Sequence, residues 1–214
     1  MKSNVKKTVL VAMMAAVAYL LAFIVRIPVG FLSFEPKDVI IVIGGFLMGP
    51  MTALITSTVV ALLEMVTFST TGPIGCIMNL LSSACFACTA ALIYKKRRYL
   101  KGAILGLLAG SVTMVLTMLL WNYLITPLYI TGTTRSDVAA MLIPVFLPFN
   151  ALKAGFNSAL TLLLYKPLVT ALRRTGLVEE RSAPDGNSKL GLYIFAGILF
   201  ITCILFLLAM QGKI

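Results

Sequence analysis

Histidine is absent from this 214-residue chain, and only seven residues are acidic. Without histidine the chain lacks the commonest general base and the commonest metal ligand. No His-Glu-x-x-His or Gly-x-Ser-x-Gly segment occurs either, so zinc-peptidase and serine-hydrolase chemistry have nothing to run on. A Gly-x-x-x-x-Gly-Lys-Ser/Thr loop is also missing, which removes hydrolysis of a nucleotide by a P-loop. No enzyme and no catalytic residue are expected. Cysteine is sparse: Cys76, Cys85, Cys88 and Cys203 each sit inside an apolar run, where a thiol acts as a small hydrophobe. Cys85 and Cys88 have ligand-like spacing but no second pair, so no metal site is expected. Charge is scarce as well, at 12% against 60% apolar residues. The mean hydropathy of +1.02 lies far outside the range of soluble domains, so the chain is an integral, all-α membrane protein.

The net charge of +11 does not point to nucleic acid, because the basic residues stand in clusters between apolar runs and are not interleaved with stacking aromatics. The bilayer is the expected surrounding. Thr8 to Arg26 is long enough to cross it, and Arg26-Ile-Pro-Val-Gly is no cleavage site, so this segment is read as a first membrane helix and not as a signal peptide. A loop from Ile27 to Lys37 leads to a short span, Asp38 to Met48, which ends at the Gly49-Pro50 turn signal. Met51 to Phe68, Gly75 to Tyr94, Gly102 to Ile125 and Met141 to Leu164 follow. Residues 1–176 thus form a six-helix membrane domain, 177–189 a polar linker, and 190–214 an accessory seventh transmembrane helix facing lipid.

Lysine and arginine set the orientation. The amino terminus, Lys95-Lys96-Arg97-Arg98 with Lys101, and Arg173-Arg174 fall on one side, which is then cytoplasmic. With sides assigned, Glu64, Asn79 and Asn122 each lie one turn from the outer end of a different helix. Asn150, Lys153 and Asn157 share one face of the sixth. Polar groups in lipid cost several kcal/mol, roughly, unless partnered, so their gathering at one depth marks a small-molecule site. The competing reading pairs Lys153 with Glu64 and treats the asparagines as helix-packing contacts. Pro144 and Pro148 predict a bend or unwinding just outside this face. Phe31, Phe34, Trp121, Tyr123, Tyr129, Phe146 and Phe149 belong to the same end, as ligand contacts or as an interfacial belt. Asp38 serves equally as helix cap or ligand contact. In the inner half, Gly102, Gly106 and Gly110 on the fifth helix, and Ala12 and Ala16 on the first, make smooth faces for close approach, either internal or to a separate subunit. A secondary transporter is disfavoured, since Glu64 is the lone intramembrane acid and no inverted repeat is visible.

Four segments carry a resemblance. Phe34-Glu35-Pro36-Lys37-Asp38 before a short helix, Gly49-Pro50, Asn122-Tyr123 with Pro127 and Tyr129, and Leu147-Pro148-Phe149-Asn150 with Lys153 resemble the riboflavin-specific S components of energy-coupling factor (ECF) transporters. The similarity runs from Lys7 to Arg174. The family's Asp-x-Ser-Asp is replaced here by Glu35-Pro36-Lys37-Asp38, with Asp38 matching the second acid. The resemblance implies a six-helix S-component bundle, with one extra carboxyl-terminal helix in this chain. It also implies a vitamin site near the outer face, a lid made by the first loop, and docking of a T component through Ala12 and Ala16. Two cytoplasmic ATPases would drive delivery. Riboflavin would be held as substrate, with no cofactor, by rings including Phe34, Tyr123, Tyr129 and Phe149. The polar contacts would come from Asn79, Asn122, Asn150, Lys153 and Asn157, with Glu35, Asp38 and Glu64 beside them. Other readings are the same architecture for another vitamin-like solute, or a membrane sensor or scaffold without transport.

Overall fold

A backbone in lipid can satisfy its polar groups only within itself, so apolar runs of bilayer length become helices. A computed structural model describes residues 2–29, 32–69, 71–130, 132–174 and 190–210. The elements are α1 (Lys2–Ile24), a hairpin of β1 (Ile27–Val29) and β2 (Leu32–Phe34), α2 (Asp38–Met48), α3 (Pro50–Thr67), α4 (Gly72–Lys96), α5 (Leu100–Tyr129), α6 (Arg135–Met141), α7 (Leu147–Arg174) and α8 (Leu190–Met210). A π-helical turn, Leu142–Phe146, joins α6 to α7. Five stretches are long and apolar enough to cross a membrane, with α6 and α7 forming one of them. The all-α membrane architecture is therefore as expected, with the second span bounded at Asp38 and Met48.

The short helix organises the rest. At 1.5 Å per residue, an eleven-residue α2 spans only about half a hydrocarbon core. Every residue from Phe34 to Phe46 is buried, because α1, α3, α4 and α7 surround this helix. Gly49 closes its carboxyl-terminal end with φ 103°, a left-handed backbone that a side chain would strain. Since α3 rises farther than α2, the space beyond the Asp38 end of α2 is left to the Ile27–Phe34 hairpin, paired Ile27 to Phe34 and Val29 to Leu32.

Toward the Gly49 end of the bundle the small residues divide by role. A Cβ on Gly106 would stand 2.6 Å from the Ala90 carbonyl oxygen and one on Gly110 2.5 Å from that of Phe86, so both glycines serve internal contact of α5 with α4. On α1, Ala15, Ala18 and Ala22 are buried, while Ala12 and Ala16 are exposed. Phe46, Tyr94 and Tyr165 close the core at this end, with Phe46 and Tyr94 stacked at 4.4 Å. The proline-induced distortion expected in the sixth span is the π-helical turn, which contains Pro144. Thr134 and Asp137 form a capping box that starts α6. The Arg173–Ser188 segment begins in α7, and the linker proposed at 177–189 lies outside the described residues.

Candidate functional site

The void above α2 is a cavity of about 340 Å³, within the usual range for small-molecule sites. Its walls come from five places: Arg26 at the end of α1, Leu32, Ser33 and Glu35 of the hairpin segment, Thr71, Met78, Asn79 and Ser82 at α4, Met118, Asn122 and Ile130 at α5, and Phe149, Asn150 and Lys153 on α7. Three asparagines from three helices and the α7 lysine thus converge on one space.

Behind the polar wall lies a buried charge network. Lys37, 1% exposed, donates to Glu35 at 2.9 Å and to both carboxylate oxygens of Glu64. Asn79 Nδ2 donates to Glu64 Oε2 at 2.8 Å, so this cavity-lining amide is oriented by the pair beneath it. Asp38 accepts from Ser83 at 2.5 Å, and its second oxygen faces Lys153 Nζ at 3.9 Å. At the mouth, Arg26 Nε lies 3.6 Å from Glu35 and 3.3 Å from Ser33 Oγ, Nη1 donates to the Phe68 carbonyl, and the guanidinium covers the Phe68 ring. Glu64 therefore pairs with Lys37, and the alternative Lys153–Glu64 bridge is not formed. Lys153 is the least committed cation: its ammonium has three donors, against one contact to Ser82 Oγ at 3.5 Å and the long approach to Asp38. An acceptor in the cavity would complete it.

The asparagine amides are oriented by their own helices. Asn122 Nδ2 donates to Met118 O at 2.7 Å, Asn150 Nδ2 to Phe146 O at 2.8 Å and Asn157 Nδ2 to Lys153 O at 2.9 Å. Thr126 occupies Asn122 Oδ1 at 3.1 Å. Asn157 is fully buried below the cavity with Oδ1 unpartnered, so it supports α7 and does not line the space.

The aromatic wall differs from the expected one. Among the described residues lining the cavity, Phe149 is the single aromatic ring, and the other apolar groups are Leu32, Met78, Met118 and Ile130. Phe34 is fully buried behind the hairpin against Phe156. Tyr123 turns outward, 37% exposed, because Asn122 beside it faces inward and adjacent helix positions point about 100° apart. The side chain of Tyr129, and Phe31 entirely, lie outside the described residues. Asp38 and Glu64 stand one layer behind the wall. Sequence reading missed Arg26, Leu32, Ser33, Thr71, Met78, Ser82, Met118 and Ile130 as lining groups. The one-turn spacing of Ser82 from Asn79, and of Met118 from Asn122, was the available signal for two of them.

Residues 6–165 match the family model described as ECF transporter, substrate-specific component. The riboflavin transporter RibU of Staphylococcus aureus (strain TCH60) is 32% identical over 178 residues, covering 79% of this chain and 93% of that protein. The riboflavin transporter FmnP of Bacillus subtilis (strain 168) is 29% identical over 162 residues, covering 70% and 85%. A solved S component of a bacterial ECF transporter superposes with a TM-score of 0.66 at 32% identity, over 80% of this chain and 99% of that one.

Proposed function

Given that the chain belongs to the substrate-specific components of ECF transporters, we propose that it is the riboflavin-binding membrane subunit of such an importer. The observation that carries this reading is the convergence of Asn79, Asn122, Asn150 and Lys153 on a cavity that also offers the apolar Leu32, Met78, Met118, Ile130 and Phe149, in a chain similar to two riboflavin transporters. Riboflavin has a flat ring system with one apolar and one amide-rich edge, and a polyhydroxyl tail. The ring lies against Phe149, Leu32, Met78, Met118 and Ile130. Asn150 and Lys153 meet its polar edge, while Asn79 and Asn122 meet the remaining hydroxyls, and Glu35 and Arg26 close the mouth. Burial of the ring provides affinity. Selectivity comes from the polar wall, since a solute that leaves one such group unpaired loses about 1–3 kcal/mol. Asp38, Glu64 and Asn157 act by holding Lys153, Asn79 and α7 in place.

The subunit performs no covalent chemistry on the vitamin and works without a cofactor. It captures riboflavin from outside, with its amino terminus in the cytoplasm, and delivers it inward together with a T component and two ATPase subunits. The T component docks on the exposed Ala12 and Ala16 face of α1, where small side chains permit close helix approach. The Ile27–Phe34 hairpin over the site is the lid.

Purified in mild detergent from a flavin-producing host, the protein is expected to be yellow. After the flavin is removed, it should quench the fluorescence of added riboflavin to saturation at one ligand per chain. Colourless protein that leaves riboflavin fluorescence unchanged, but binds another vitamin, would replace the substrate and keep the family.

A further inference from the structure

We propose that α8 sets the position of the hairpin over the cavity, acting through a line of three rings: Phe200, Phe156 and Phe34. Phe200 on α8 meets Phe156 on α7 with centroids 4.7 Å apart, and Phe156 meets Phe34 on β2 edge-on, also at 4.7 Å. Both separations fall in the range where aromatic pairs attract beyond simple burial. Around the rings, Val29, Phe149, Leu152 and Cys203 complete one cluster, with Leu32 and Leu199 against it. Phe149 and Leu32 belong to this cluster and to the cavity wall alike, so α8 is one side chain removed from the ligand space.

The fit of α8 is close on one side and open on the other. Cys203 sits over Gly155, where an added Cβ would stand 3.4 Å from its sulfur, and Ala196 is fully buried. Ile194, Ile198, Ile201 and Leu205 on the remaining surface are exposed. Between helices in lipid, association rests on steric fit, because acyl chains are as apolar as leucine. The Gly155–Cys203 approach and the ring line supply that fit at the level of the hairpin. A two-stranded hairpin of three-residue strands has little stability of its own. Phe34 is its anchor, and the residue after it, Glu35, lines the cavity and pairs with Lys37 behind the wall.

The part of the chain that matches the family model ends at residue 165, so α8 lies beyond it. It adds support to a lid that would otherwise be held on that side by lipid. Fixing the lid before the ligand arrives reduces what binding must order, and such effects appear mainly in the dissociation rate.

The test uses the full chain in lipid nanodiscs, comparing wild type, Phe200→Ala, Phe200→Leu and the outward-facing control Ile201→Ala. The first readout needs no ligand: amide hydrogen exchange at Ile27, Val29, Leu32, Ser33 and Phe34. Phe200→Ala should accelerate it about three- to tenfold, the range for loss of one aromatic pair, with Phe200→Leu showing the same direction and a smaller change. Riboflavin release, followed by recovery of flavin fluorescence, should accelerate in parallel, a readout that rests on the proposed function. Unchanged exchange in both Phe200 variants, or an equal effect from Ile201→Ala, would overturn the proposal. If riboflavin binds to none of the four proteins while the exchange difference persists, control of the hairpin by α8 stands and the substrate assignment falls.

Discussion

Replacing Lys37 by methionine tests the charge network directly. The ammonium is 1% exposed and bridges Glu35 at 2.9 Å and Glu64, which is itself 1% exposed. Its removal leaves two carboxylates around a neutral side chain. Glu35 keeps Arg26 at 3.6 Å, whereas Glu64 keeps the Asn79 amide and, among the described residues, no second ion-pair partner. Breaking a buried pair from one side costs about 3–5 kcal/mol. For a chain of this size, at about 2–4 °C per kcal/mol, the melting midpoint should fall by roughly 6–20 °C. The double variant Lys37→Met/Glu64→Gln should recover most of the loss, because a neutral pair of matched volume in place of a buried ion pair costs little or stabilises. The assay is thermal unfolding in one detergent, followed by tryptophan or thiol-reactive dye fluorescence, together with riboflavin titration of each variant. A single variant that melts with wild type, or a double variant that melts below the single one, would refute the argument that Glu64 depends on Lys37.

Other consequences can be checked in parallel. Asn150→Ala and Lys153→Ala should each weaken riboflavin binding by about tenfold or more in fluorescence titration while expression holds; equal affinity in both would return these residues to a purely structural role. Gly106→Ala places a methyl 2.6 Å from the Ala90 carbonyl oxygen, so it should destabilise by about 1–3 kcal/mol in thermal melts with ligand affinity preserved, and a neutral result would mean that α4 and α5 can separate freely. Ala12→Leu with Ala16→Leu should leave folding and flavin binding intact, since both positions are exposed, and should abolish co-purification of the T component; retained complex would move the docking face elsewhere.

The limits of α2 were readable because Asp38 and Gly49-Pro50 punctuate an apolar run, and Pro and Gly act locally. Helix ends and the distribution of cations put Glu64, Asn79, Asn122, Asn150 and Lys153 at one level; in the structure the last four line one cavity and Glu64 stands behind Asn79. The partner of Glu64 was harder. It depends on α2 and α3 rising together from the Gly49 turn, which brings Lys37 level with Glu64, and a residue assigned to a loop was not considered as buried. Strands of three residues show no alternation long enough to detect, so the hairpin was hidden inside a loop. Tyr123 was misplaced because two neighbours in a motif were both pointed inward, against helical rotation. For α8, a surface hydrophobic all round offers no stripe from which to choose the face that meets Phe156.

The six ionisable groups around the cavity, Arg26, Lys37 and Lys153 with Glu35, Asp38 and Glu64, sum to zero when all are ionised. A membrane potential does work of roughly 2.3 kcal/mol on each elementary charge moved through 100 mV. On the proposed function, a neutral cargo held in a site balanced in this way adds no net charge to be moved through the membrane potential. The voltage would then neither drive nor oppose delivery, and the energy would have to come from partner subunits.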